Sequence, residues 1–243
     1  MPPSFGTAKS DGMFRAFSLA FGQLSDPALK RYIGLSAVCT LAAFLAIWGL
    51  GLFVLFANTE VPTFELFGYA IALDAIADVL GAILLFLLLG LMFPSLLIVI
   101  VSFFLEDAAK VVEERHYPGL GPARDQAVTE TIRITLKFAG LSIVLNLLAL
   151  PLFLLLLFFP PCNLFVFYGL NGYLLGREYY ELVAYRRLAP PVADRLRRTL
   201  AVKLFMVGVV IAVLMSVPVL NLIVPIVATA AMVHLVQDWR QRH

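Results

Sequence analysis

The sequence predicts an all-α integral membrane protein. It would hold two long transmembrane helices, two proline-broken, half-penetrating helical hairpins and an N-terminal interfacial helix, in a single membrane domain, 1–243. Three observations predict this. Hydrophobic residues make up 61% of the chain and charged residues 14%, where soluble domains average about 25% charged. Mean hydropathy is +0.94, so lipid must be the solvent for much of the apolar surface. Finally, the 18 Lys and Arg residues fall into four blocks separated by long charge-free runs.

Each element follows from local pattern. Residues 13–25 carry Met13, Phe14, Phe17, Phe21 and Leu24 at near-helical spacing, interleaved with Arg15, Ser18 and Gln23. That pattern suits an amphipathic helix in the membrane interface. Asp26 is a good N-cap and Pro27 a good first helical residue, so a long helix over 27–58 starts there. Its charge-free run, Tyr32–Thr59, has 28 residues, enough to cross a bilayer. Met1–Lys30 holds no unbroken apolar stretch, so no cleavable signal peptide is expected and the first span directs insertion. Asn58–Phe67 reads as a loop. A second long helix is expected over 68–115, around the 27-residue charge-free run Val79–Leu105, kinked at Pro94 and continuing into water through the charged stretch Glu106–Arg115. Tyr117–Pro122 is a loop, and Arg124–Lys137 is again helical in character.

Two further runs, 138–176 and 204–237, are 39 and 34 residues long. They are long for one span and cramped for two. Each is divided by the same pattern, Pro160-x-x-Asn163 and Pro218-x-x-Asn221. Proline ends one helical arm and Asn can cap the next, so both read as re-entrant hairpins that return to the side they left. With that topology all four basic blocks share one face and the Asn58–Phe67 loop lies alone on the other, a complete positive-inside segregation. Both termini would then be cytoplasmic. Two full spans per run would give the same sidedness.

The residues exclude several classes. The net charge of +2 gives no reason to expect nucleic acid. Cys39 and Cys162 both lie in apolar runs and read as small buried residues, without metal or disulfide spacing. His116, His234 and His243 are isolated in sequence, and no hydrolase, P-loop or dinucleotide motif is present. No enzyme, cofactor or metal is expected. The sharpest candidate is Ala28-Leu29-Lys30-Arg31 in the first turn of the second helix. Two cations beside a helix N-terminus make an oxyanion site; the alternative is that Lys30 and Arg31 snorkel to headgroups and set topology. Asp74 and Asp78 could relay protons or lie at the interface. Arg177, Glu178 and Glu181 form either a pore-mouth ion pair or a solvated helix end. Asn146, Asn163, Asn171 and Asn221 line a polar path or bond between helices. Arg195, Arg197, Arg198 and Lys203 form a basic helix suited to anionic lipid.

Three stretches resemble one family. Pro27-Ala28-Leu29-Lys30-Arg31-Tyr32 is similar to the Pro-Gly-(Ile/Leu)-Arg-Arg-Phe stretch of the CysZ sulfate permease family, related to the etoposide-induced membrane proteins. Glu106–Glu113 resembles that family's charged helix after its second span, and Val217–Met232 resembles its C-terminal hairpin. The resemblance implies sulfate uptake across the bacterial inner membrane for cysteine biosynthesis, by a homo-oligomer. It implies sulfate binding at Ala28, Leu29, Lys30 and Arg31; the residues themselves, not the resemblance, suggest a pore or path near Asn163, Arg177, Glu178 and Asn221. Ala28 stands where the family has glycine and Lys30 where it has arginine, and lysine keeps the charge but loses the bidentate fork. Two other classes stay open from the residues alone. One is a non-transporting, lipid-interacting scaffold, for which any basic block matters equally. The other is a proton-coupled transporter of another anion that depends on Asp74 and Asp78.

Overall fold

The computed structural model describes residues 11–58, 64–66, 69–71 and 73–242. Helix α1 (Asp11–Gln23) buries Ala16, Phe17, Ala20 and Gln23, one face at helical spacing, against α9 (Val224–Arg242). After a tight turn, α2 (Pro27–Asn58) begins where Asp26 and Pro27 predict. Two of its hydroxyls return to their own backbone: Ser36 Oγ donates to the Ile33 carbonyl at 2.9 Å and Thr40 Oγ1 to the Ser36 carbonyl at 2.7 Å. Such bonds satisfy hydroxyls where water is absent.

The expected loop after α2 lies partly outside the described residues. The part that is described forms strand β1 (Phe64–Leu66), paired antiparallel with β2 (Tyr69–Ile71). Aromatic and β-branched residues favour that pairing. The helix expected over 68–115 is two helices, α3 (Leu73–Ser102) and α4 (Leu105–His116). Gly68, its expected first residue, lies outside the described residues. The break has a local cause. The amides of Phe103 and Phe104 bond to the carbonyls of Ile100 and Val101, three residues back, which tightens and ends the turn. Helix α4 then buries Leu105, Ala108, Ala109, Val112 and Glu113 and packs on α9.

Helix α5 (Val128–Leu155) ends in a short 3₁₀ turn and is followed by α6 (Pro160–Ala184), so the chain does break at Pro160. The first arm is longer than the charge-free run suggested, because Val128–Lys137 joins it without interruption. The arms fold back on each other: the Arg177 guanidinium lies 5.6 Å from the centre of the Phe138 ring. Helix α7 (Pro190–Thr199) meets α8 (Ala201–Met215) at 84°. A 3₁₀ turn at Pro218–Leu222 precedes α9, so the break at Pro218 is also present.

Among the described residues, three stretches are long and apolar enough to cross a membrane: Pro27–Leu55, Asp78–Ser102 and Val128–Phe158. The protein is an all-α membrane protein, with one small β-pair among the described residues. Its body is built around α9, which is buried from Val224 to Gln237 and again at Trp239. A helix buried on every side must be apolar or small all round, and α9 is rich in Ala and Val. The α2–α3 pair leaves this body: only 6% of either apolar window is buried. It is held together by edge-on aromatic contacts of Phe44 with Phe86 and Phe93, and of Trp48 with Phe86.

Candidate functional site

The start of α2 has the geometry its sequence predicts. Asp26 Oδ1 accepts the Ala28 amide at 3.0 Å, an N-cap bond worth about 1 kcal/mol. Leu29 is buried at 1% exposure, which anchors the turn, while Lys30 and Arg31 are exposed. Neither cation has an ion-pair partner among the described residues. The second carboxylate oxygen of Asp26 pairs with Arg115 at the end of α4. The anion that offsets the helix dipole is therefore, in part, the chain's own Asp26. What faces outward at the start of α2 is Lys30 and Arg31, with the exposed Arg115 held against the same turn by Asp26.

Arg115 was not singled out from the sequence, and neither were Glu113, Arg186 and Arg187. Yet these last three form a buried charged junction. Glu113 is 2% exposed. It accepts from Arg186 Nη2 at 3.2 Å and from Arg187 at 3.0 Å and 2.6 Å. Arg186 also reaches Glu106 at 3.3 Å, and Arg187 donates to the Gly121 carbonyl. Beside them opens a cavity of about 550 Å³ lined by Lys110, Glu113, Glu114, Arg186 and Arg187 and by the loop from Tyr117 to Ala123. The sequence signal was present: Glu113 sits on the apolar face of α4, four residues after Ala109, where a carboxylate is costly unless paired.

At the exit of the first hairpin, Arg177 Nε donates to Glu181 Oε1 at 2.6 Å, and both side chains are buried. Glu178 is exposed. Helical spacing decides this, because residues four apart share a face and neighbours do not. Glu181 also lies 3.7 Å from Arg197, so the hairpin exit is tied to the basic helix α7.

The asparagines divide into two kinds. Asn146 and Asn171 donate to the carbonyls of Ser142 and Phe167 on their own helices, at 2.8 and 2.9 Å. Asn163 and Asn221, at the two proline breaks, each bury the amide oxygen without a partner among the described residues. Asp78 Oδ1 is in the same state; the Asp74 side chain lies outside the described residues. Cys39 is half-buried and Cys162 exposed, so the expectation that both are buried fails at Cys162, which sits on the outer side of the hairpin turn. Among the described residues no group of His, Cys, Asp and Glu is arranged to hold a metal.

A polar latch lies where α1, α4 and α9 meet. The Gln23 amide nitrogen is 2.7 Å from His234 Nε2 and 3.0 Å from His116 Nε2, and Tyr117 Oη is 2.8 Å from His234 Nδ1. Gln23 has two amide hydrogens, one for each ring. With the amide nitrogen as donor, His234 Nε2 accepts and the ring is neutral with its proton on Nδ1, while Gln23 Oε1 is buried without a partner among the described residues. Burial, with smaller contributions from His116 and Arg15, pushes the His234 pKa down to about 4.

No curated protein matches the chain. Residues 16–225 match the family described as Sulfate transporter CysZ/Etoposide-induced protein 2.4. That stretch runs from the buried face of α1, through the Lys30–Arg31 turn, the Glu113 junction and both proline breaks, to the first turn of α9, and by it the chain belongs to the sulfate transporter CysZ/etoposide-induced protein 2.4 family.

Proposed function

We propose that this protein is a sulfate channel or permease of the bacterial inner membrane that supplies sulfur for cysteine biosynthesis. The observation that carries the reading is membership of a sulfate transporter family over most of the chain. The arrangement of cations supports it. An oxyanion arriving from the basic face first meets Lys30 and Arg31, which are exposed and without ion-pair partners among the described residues. Because Asp26 already caps the turn, capture falls to the two side chains. Lysine acts there as a point charge and arginine as a fork.

Beyond this cluster, the cavity beside Lys110, Arg186 and Arg187 offers a second cationic surface. Glu113 keeps that surface from being a trap, since conduction needs binding weak enough for release. Both hairpins are taken to start from and return to the basic face, the first with a leading arm, Val128–Phe158, long enough to cross the membrane. An amide oxygen buried without a partner among the described residues, as at Asn163 and Asn221, is rare in a native protein, and passing water or a neighbouring subunit would supply one. The exposed Phe158, Phe159 and Phe165 at the first hairpin's turn likewise fit burial in a homo-oligomer.

The test is uptake of radiolabelled sulfate into liposomes carrying the purified protein, beside a Lys30→Ala, Arg31→Ala double variant. Both side chains are exposed, so the variant should assemble normally. Uptake well above protein-free liposomes, cut at least tenfold in the variant, is the expected result. No uptake by the unaltered protein, with sulfate leaving its melting temperature unchanged, would sink the proposal in favour of a lipid-binding scaffold.

A further inference from the structure

A further cationic site lies against the start of α1. A groove of about 210 Å³ runs between the start of α1, the start of α8 and the end of α9. Its floor is apolar: Val207, Leu235 and Trp239 are 1%, 3% and 4% exposed. Its rims are apolar but open, with Phe14 at 73% and Met206 at 48% exposure. A smaller hollow of about 140 Å³ shares Gly12, Leu235, Asp238 and Arg242 with it and adds Arg15. The two therefore form one continuous surface, apolar at one end and charged at the other.

Among the described side chains that line the groove, Lys203 and Arg242 share one carboxylate, Asp238, and Arg242 Nη2 engages it at 2.7 Å. Lys203 is exposed and has no hydrogen-bond or ion-pair partner among the described residues. Its place in the chain fixes its depth. Lys203 is the last charge before the apolar run 204–237 and Asp238 the first after it. On the hairpin topology expected from the sequence, the mouth of the groove then lies where α8 enters and α9 leaves the apolar layer, at the level of the headgroups.

We infer that this groove binds an anionic phospholipid. One acyl chain would lie along Met206 and Trp239, covered by Phe14, and the phosphate would sit at Lys203 with Arg242 behind it. A bare oxyanion could satisfy Lys203 but would leave the apolar floor uncovered, and exposed apolar area is what burial of a chain removes from water. A zwitterionic lipid would bring its own cation toward Lys203, whereas an anionic headgroup would not. The site is separate from the Lys30–Arg31 turn and does not depend on the transport reading.

The chain has two tryptophans, so a Trp48→Phe variant leaves Trp239 as a reporter in the floor of the groove. That protein, in detergent micelles, is titrated with phosphatidylglycerol carrying brominated acyl chains, which quench tryptophan on contact. Saturable quenching is expected, with phosphatidylcholine of the same brominated chains at least tenfold weaker. Lys203→Ala should weaken the phosphatidylglycerol curve at least tenfold, and Lys203→Arg should restore most of it. Equal quenching by both lipids, or an unchanged curve in Lys203→Ala, overturns the assignment. Displacement of the lipid by equimolar inorganic phosphate or sulfate also overturns it, and would mark a bare-anion site instead. Sulfate uptake is not part of the readout, so failure of the transport proposal would leave this result standing.

Discussion

Two helix pairs meet through glycine, and they differ in what the glycine touches. In the α2–α3 pair, a Cβ added at Gly51 would meet the end of the Leu85 side chain at 2.6 Å, and one added at Gly81 would meet the end of Leu55 at 2.9 Å. In the α6–α8 pair, a Cβ at Gly208 would collide with the backbone of Gly172 and Gly176, and one at Gly176 with the backbone of Leu204. A side-chain tip can swing aside, but a helix backbone cannot move without moving everything packed on it. The first pair stands out in lipid and is fastened loosely by aromatic edges. The second forms part of a rigid body, pinned further by Tyr168 Oη to Ser216 Oγ at 3.0 Å. Close backbone approach over small residues is how helices associate where the hydrophobic effect between them is weak.

The comparison can be broken most decisively at Gly208. Gly208→Ala should separate α6 from α8 at a cost of about 3 kcal/mol or more. The expected readout is loss of the monodisperse peak in size-exclusion chromatography; a variant that elutes and melts like the parent would show that the crossing is soft. Next is the charged junction that braces the same body. Glu113→Ala leaves Arg186 and Arg187, whose side chains are 8% and 10% exposed, without their shared carboxylate. Removing one partner of a buried ion pair costs about 3–5 kcal/mol. The lower end is expected here, because Glu106 and the Gly121 carbonyl remain as partners. Thermal unfolding followed by circular dichroism measures it.

The latch at His234 should respond to acid. Its pKa is lowered from 6.5 to about 4 in the folded protein, so the unfolded chain takes up a proton first. Stability is then full above about pH 6.5 and falls as pH drops toward 4, with a slope of at most one proton. Protonated Nε2 would also point a hydrogen at the Gln23 amide hydrogens. His234→Gln should flatten that slope, which melting temperatures measured across the range would reveal. An equally steep slope in the variant would assign the effect to other groups. The smallest effect belongs to the lipid-facing pair. Gly51→Ala gains about 0.5–1 kcal/mol of helix preference and pays a similar amount to displace Leu85, so the melting temperature should move by no more than a few degrees.

The sequence was informative wherever one physical rule acted over a long stretch. The all-α membrane class followed from charge-free runs and hydropathy, the start of α2 from Asp26 and Pro27, and both proline breaks from Pro160 and Pro218. Legibility stopped at interactions between distant segments. Arg115 joins Asp26 across 89 positions, and Gln23 joins His234 across 211. No local pattern marks such pairs. Gly172-x-x-x-Gly176 was a readable signal for close packing but gave no partner. The pairing of Arg177 with Glu181 rather than Glu178 was also within reach, from helical spacing alone.

By itself, then, the sequence determined the solvent, the helices and their punctuation, because burial in lipid and proline geometry act on the chain locally. The tertiary structure decided which charges are spent and which are left over. Asp26 is taken by its own helix and by Arg115, and Glu113 by two arginines, while Lys30, Arg31 and Lys203 keep no ion-pair partner among the described residues. That division sets where an anion can bind, and it depends on distances that only the packed helices fix.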